Sequence, residues 1–505
     1  MNVSDSITCE LHENLTNKQL NYYWNNFDWN RAELFVNKIQ IRITKAVINK
    51  KWNLVKRLQY LLTNSFYAKA LAVKKVTSNK GKNTAGVDGE LWVDSKDKMK
   101  ATLKLTNKRY KAKPLRRVHI KKYGKKEKRP LSIPTMRDRT MQTLYLMALE
   151  PVSETLADRV SFGFRKYRST HDAMAHIFNI MAKKSGPTWI LEGDIRGCFD
   201  NISHEWLFKH IPMDKNILNK FLKAGYCFKK KLFLTEVGSA QGSPISPTLA
   251  NMTLDGLEYA LAEKYWMNSK GKVDKKHKNH KKINLIRFAD DFIVTASDKE
   301  TLIEIKEVIK EFLKVRGLML AEDKTLITNI TDGFDFLGWN FRKYQKKLII
   351  KPSKKSVNKI HKKISQTIKE NKASKQITLI TLLNPIINGW ANYHQPVCSK
   401  AVFSKLDNVI WNMLWKWAKR RHPNKRKSWV KQRYWHTVGK RNWVFMIGNT
   451  MLENAFDKAI VRHIALKFNM NPFLHREYFE NRKKMQQFKR LDAYVKTTAA
   501  HLKIG

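Results

Sequence analysis

Two adjacent carboxylates, Asp290 and Asp291, sit inside the apolar and aromatic run Phe288-Ala289-Asp290-Asp291-Phe292-Ile293-Val294. A charge in such surroundings costs several kcal/mol unless something neutralises it, and a divalent cation is the common remedy. The run Leu285 to Val294 reads as strand, turn, strand, with the acids at the tip. Neighbouring side chains on a straight strand point to opposite faces, so both acids reach one site only where the backbone turns. A third acid must come from elsewhere. Asp194 is placed for it, because Trp189 to Asp194 is an apolar strand that ends in an acid and runs through a turn into a helix start near Asn201-Ile202-Ser203. Magnesium takes one or two protein carboxylates and completes its shell with water and phosphate oxygens. A pair of such ions about 4 Å apart would activate an attacking hydroxyl and stabilise a leaving pyrophosphate. Singly, each acid reads more readily as structural, Asp290 and Asp291 as turn residues and Asp194 as a helix cap; the combination is the specific signal.

The elements around these acids belong to a very basic chain. Its 505 residues suffice for two to four domains. Lys and Arg number 98 against 43 Asp and Glu, a formal charge of +55, and 11% of residues are aromatic. Such an excess repels itself and calls for a polyanionic partner. Aromatic rings interleaved with cations favour nucleic acid over a membrane surface. The four cysteines, Cys9, Cys198, Cys227 and Cys398, are scattered without a C-x-x-C pair, so neither a disulfide framework nor a zinc site is expected. No apolar run approaches about 18 residues and the amino end has no signal-peptide pattern, so a soluble, cytoplasmic protein is expected.

In chain order, residues 1–30 are polar and read as a loosely ordered leader. Apolar residues then recur at helical spacing from Asn30 to Val76. Pro114 to Lys122 and Lys128 to Pro134 read as two short strands in which apolar residues alternate with polar ones, with Tyr123-Gly124-Lys125-Lys126 as the tip of a hairpin. Asp138 to Leu156 reads as a helix, and Ser161 to Ala173 as a loop entering another with Ser169 or Thr170 as cap. Gln241-Gly242, followed by Ser243-Pro244 and Ser246-Pro247, forms a rigid turn before a helix from Thr248 to Tyr265, with Gly permitting close approach to a nucleic acid strand. Residues 268–282 read as a solvated basic loop. Beyond about Leu348 the chain becomes helical and very basic, and its tryptophans beside cations suit stacking and phosphate neutralisation.

Asp194 with Phe199, then Ser239-Ala240-Gln241-Gly242-Ser243-Pro244, then Phe288-Ala289-Asp290-Asp291 resemble, in order, three core blocks of reverse transcriptases, and most closely those of group II intron-encoded proteins. Ser161 to Ala173 and Asn384 to His394 extend the likeness, the latter into the thumb (domain X) of intron maturases. The resemblance implies an α/β (α+β) right-hand polymerase with helical fingers, a palm built on an antiparallel sheet, and an α-helical thumb. It implies two magnesium ions on Asp194, Asp290 and Asp291, and nucleotide contacts from Arg116, Lys122, Arg129, Phe199, Gln241 and Gly242, with Phe199 excluding a 2′-hydroxyl. Arg165 and Arg168 are expected on template or nucleotide, with ion pairs that hold their loop as the other reading. RNA contacts are expected from Lys354, Lys355, Trp415, Arg420, Arg421, Lys425, Arg426 and Lys427.

The expected division is a leader (1–30), N-terminal extension and fingers (31–185), palm (186–348), thumb (349–440) and a basic, DNA-binding-like tail (441–505). Without paired cysteines ahead of Gly505, the His-Asn-His endonuclease of many relatives is expected to be missing. The partners implied are group II intron RNA, target DNA, a primer-template duplex and deoxynucleotides. Two rival readings share parts of this pattern: an RNA-binding splicing factor without polymerase activity, and a defence or CRISPR-associated reverse transcriptase. The acid triad speaks against the first and the domain X likeness against the second.

Overall fold

The computed structural model describes residues 15–121, 128–439 and 441–502, with side chains to residue 495. Lys122 and the expected hairpin tip Tyr123–Lys126 lie outside the described residues.

Helices α1 (Asn17–Asn25), α2 (Trp29–Ile48), α3 (Trp52–Asn64), α4 (Phe66–Ser78) and α5 (Ser95–Lys104) open the chain. The leader is therefore not loose in its second half. Thr16 and Gln19 form a capping box that starts α1, and Leu20 and Trp24 are buried with Val73 of α4 and Met99 of α5. Strands β1 (Leu115–Lys121) and β2 (Lys128–Ile133) pair antiparallel, and β1 also lies parallel to β4 (Tyr226–Phe228), which pairs with β5 (Lys231–Phe233). Between these halves run α6 (Met136–Leu156), α7 (Thr170–Met181) and strand β3 (Trp189–Gly193). Helix α6 is buried along most of its length and forms the spine of the first core.

The sheet that matters for chemistry has the order β6 (Asn284–Phe288), β7 (Asp291–Ala296), β3 and β8 (Leu326–Asn329), every neighbour antiparallel. Alternation explains how it is covered on both faces. Leu191, Leu285, Phe292 and Val294 enter the core shared with α6, whereas Ile190, Ile286 and Ile293 enter a second core with Trp339 and Phe341. The expected helix from Thr248 to Tyr265 is in fact two. Helix α8 (Ser246–Leu254) stops at Asp255, and Gly256, in the left-handed region at φ +94°, restarts the chain at Leu257. The basic tract 268–282 also carries structure: Lys275 opens a short helical turn, pairs with Glu258 at 3.5 Å and covers the Trp266 ring.

Helix α9 (Lys299–Lys314) packs on the sheet. Strands β9 (Phe334–Phe336), β10 (Trp339–Tyr344) and β11 (Lys347–Pro352) form a small antiparallel sheet that leads to helices α10 (Lys354–Glu370), α11 (Gln376–His394), α12 (Lys400–Arg421) and α13 (Lys427–Tyr434). Strand β12 (Trp435–Val438) pairs with β13 (Arg441–Ile447), which pairs with β14 (Thr450–Met451). This hairpin crosses the boundary expected at 440. Phe445, Leu452 and Ala455 complete the same core as Leu383, Phe403 and Leu414, so the unit that begins at α10 needs them for burial. Helix α14 (Arg476–Leu502) ends the described chain. No helix among the described residues is long and apolar enough to cross a membrane.

Candidate active site

Strand register assembles the three acids. β3 pairs antiparallel with β7 through Glu192↔Ile293 and Gly193↔Phe292, so the next step along each strand sets Asp194 against Asp291. Gly193 is required there, because a Cβ would collide with the Phe292 ring. Phe288 and Asp291 close the β6–β7 hairpin, with Ala289 at φ +59° and Asp290 forming the turn.

The electrostatics are those of a site short of positive charge. Lost hydration raises the Asp290 carboxyl, and Asp194 adds to the shift against the pull of Arg129 and Lys324. Asp291 is pushed up to about 6 by lost hydration, then by Asp290 and Asp194, and is pulled back by Lys355 and Lys324. It nonetheless reaches solvent on the cleft floor, so part of that repulsion is screened. Lys324 places its Nζ 2.6 Å from Asp194 Oδ2 and supplies one positive charge. Among the described residues no three His, Cys, Asp or Glu side chains form a ready-made metal cage. Such an open set suits an ion that fills most of its shell with water and phosphate rather than protein. The mutual repulsion of these acids is the observation by which they fit a divalent cation.

The hairpin tip is held from beneath by residues the sequence did not single out. Arg287 is fully buried and pairs with Asp255. It also donates to Asn251 Oδ1 at 3.2 Å and to the Ala289 carbonyl at 3.3 Å, bracing the turn itself. Asn251 in turn donates to the Gly163 carbonyl at 2.8 Å, and a Cβ at Gly163 would collide with the Ala289 backbone nitrogen. An Arg amid the apolar residues of β6, with a lone acid at a helix break, was the available signal.

Phe199 is buried near its tip, 8% exposed, in the turn that follows β3. Its carbonyl accepts the Ser239 N–H at 2.6 Å, which ties the aromatic residue to the Gln241-Gly242 loop. That loop is docked on β2. The Ser132 N–H donates to the Gln241 carbonyl at 2.7 Å, Arg129 Nε donates to Gln241 Oε1 at 2.8 Å, and Gly242, at φ +106°, leaves no room for a Cβ against Leu131 and Ser132. Arg129, Phe199, Gln241 and Gly242 thus share one wall with the acids. Arg116 stands farther back on β1 and donates to the Ala85 carbonyl at 3.0 Å.

Arg165 and Arg168 do not offer themselves to a template. Both pair with Glu154, at 2.6 and 3.0 Å, and their side chains are 6% and 2% exposed. The loop-holding reading replaces the expected contact, because a buried guanidinium stays where its carboxylate is. Of the expected RNA contacts, Lys354, Lys355, Arg420, Lys425, Arg426 and Lys427 are exposed. Arg421 instead caps backbone carbonyls of Lys372 and Ser374 and lies over the Trp417 ring, while Trp415 stacks on Trp411 at 5.5 Å.

The β9–β10 turn is clamped to α11. Trp339 is fully buried and stacks on Tyr393 at 4.6 Å, and Tyr393 Oη donates to the Leu337 carbonyl at 2.7 Å. His394, beside it, contacts Ser356 Oγ at 3.0 Å.

Comparison with known proteins agrees with this geometry. The family described as reverse transcriptase (RNA-dependent DNA polymerase) matches residues 120–341. The N-terminal domain of reverse transcriptase matches 24–105, and the group II intron maturase-specific domain matches 357–435. The group II intron-encoded protein LtrA of Lactococcus lactis subsp. cremoris is 31% identical over 340 residues, covering 56% of each chain. The chain thus spans about half the length of that curated relative. Protein YkfC of Escherichia coli is 32% identical over 323 residues, covering 56% of this chain and 82% of its own. The Maturase-like protein 1 of Euglena longa is 25% identical over 471 residues, 88% of this chain and 93% of its own. With the acid triad, the Gln-Gly loop and the maturase-specific segment all in place, the chain belongs to the family of group II intron-encoded reverse transcriptases and maturases.

Proposed function

We propose that this chain is an RNA-directed DNA polymerase that also binds the intron RNA encoding it and promotes its splicing. The observation that carries the polymerase reading is the register that sets Asp194 across from Asp291, with Asp290 at the turn, in a pocket short of positive charge. The reaction is attack of a primer 3′-hydroxyl on the α-phosphate of a deoxynucleotide. Asp194, Asp290 and Asp291 would hold two magnesium ions, which when bound lower the charge on the attacking and leaving oxygens. Arg129, with its planar fork, binds phosphate oxygens, and its bond to Gln241 fixes where the fork points. Arg116, whose Nε is engaged by the Ala85 carbonyl, adds positive charge from farther back. Phe199 lies under the sugar, where a 2′-hydroxyl would meet its ring.

The maturase reading is supported by the exposed cations of the helical unit from α10 to α13, with Lys354, Lys355, Arg420, Lys425, Arg426 and Lys427 as phosphate contacts. Target DNA, a cytoplasmic nucleoprotein setting and support of intron mobility belong to the same proposal. Its test is splicing of the RNA transcribed around this gene, at magnesium too low for the RNA alone. Faster splicing with the protein supports the reading, and an unchanged rate rejects it.

A further inference from the structure

Beside the core of the helical unit lies an open cavity of about 870 Å³, bordered by α12, the β12–β13 hairpin, the turn into β14 and Tyr494 of α14. Its size is that of small-ligand sites in general. The floor is aromatic. Trp411, Trp435 and Trp443 meet with ring centroids 5.7, 6.0 and 6.5 Å apart. Trp443 is carried on the hairpin at φ +65° and remains 40% exposed, whereas Trp435 is 2% exposed and its indole N–H is buried without an acceptor. The cavity therefore offers the partly exposed aromatic surface of Trp443.

The walls argue against phosphate as the ligand. Arg441 is engaged by Asp457 at 2.6 Å, and Lys458 by Glu453 at 3.3 Å. Asp407 accepts the backbone N–H groups of Ala455 and Phe456 at 2.9 and 2.8 Å. Positive charge inside the cavity is thus already matched, in a chain whose outer surface is rich in cations. Lys431 lies over the Trp443 ring with its Nζ 4.9 Å from the centroid and adds positive charge outside the cavity. Stacking on an aromatic ring is open to any base, and single-stranded RNA is read by splaying bases out onto such rings.

We infer that this cavity takes one unstacked nucleobase of a single-stranded RNA, stacked on Trp443, while the adjoining phosphates lie on the basic surface outside. The inference rests on the RNA-binding reading and adds to it a site that distinguishes a base from a bare backbone.

The test compares binding of a short oligoadenylate with that of an abasic strand carrying the same phosphates, using the full chain and monitoring its fold by circular dichroism. Trp443→Ala is expected to weaken oligoadenylate binding roughly five- to a hundredfold, the range for one stacked base, and to leave the abasic strand unaffected. Trp443→Phe is expected to retain most of the affinity. Thr450→Trp, which fills the cavity from another wall, is expected to lose the same base-dependent share if Trp443→Ala proves unstable. Equal losses on both strands, or none on either, would overturn the site while leaving RNA binding intact. A wild-type chain that binds neither strand would overturn the RNA-binding reading itself, and the site with it.

Discussion

Arg287 and Asp255 form a buried ion pair directly beneath the turn that carries Asp290 and Asp291. Desolvation pushes the Asp255 carboxyl up and Arg287 pulls it back, so the carboxylate depends on Arg287 for its charge. Removing one partner strands a buried charge. Arg287→Met is expected to destabilise the chain by about 3–5 kcal/mol, and Arg287→Met with Asp255→Leu to recover much of that. Urea unfolding of both variants measures it, and a double variant no better than the single would reject the pairing.

Arg129 and Gln241 join the β1–β2 hairpin to the Gln-Gly loop through one hydrogen bond. Their effects on nucleotide use should therefore be non-additive. In a cycle of Arg129→Ala, Gln241→Ala and the double variant, kcat/KM is expected to show a coupling of about 0.5–3 kcal/mol. Strict additivity would mean that the two side chains act separately.

Phe199 is bonded to the Ser239 N–H through its backbone carbonyl while its buried ring meets Phe164, so shortening the side chain is expected to open space without moving the acids. Phe199→Val is expected to raise ribonucleotide relative to deoxynucleotide incorporation roughly ten- to two-hundredfold, the scale on which a pocket wall discriminates. An unchanged ratio would assign sugar selection to another residue.

How much of this was readable beforehand divides along physical lines. The acid triad was legible because charge inside an apolar run is costly and rare, and the strand–turn–strand pattern fixed which residues sit at a tip. The pairs that hold the tip were not. Arg287–Asp255 joins residues 32 positions apart, and Arg165–Glu154 turns an apparent ligand contact into a loop clamp. Whether an Arg faces solvent or a buried carboxylate is decided by tertiary packing, which no local spacing encodes. The break at Gly256 was missed for the same reason, since the partners that hold it, Arg287 on Asp255 and Asp158 on the Gly256 N–H at 3.0 Å, are distant in sequence.

His394, at the joint between the β9–β10 turn and α11, is held down to about 3 by burial and then by His171. The unfolded imidazole binds its proton near pH 6.5, so its contribution to stability is present above that pH and lost as the pH falls from about 6.5 toward 3. Wild type is expected to lose stability on acidification faster than His394→Gln, by at most roughly 1.4 kcal/mol per pH unit. Thermal melts of both between pH 7.5 and 5 check it. Parallel curves would exclude His394 as a source of the slope.

The most direct test of the account is extension of a DNA primer on an RNA template with magnesium, by the wild-type chain and by Asp290→Asn with Asp291→Asn, each also assayed for intron RNA binding. The account predicts extension by the wild type, none by the variant, and RNA binding by both. Extension by the variant, or none by a wild type that still binds RNA, would contradict the assignment of Asp194, Asp290 and Asp291 as the catalytic acids of a polymerase.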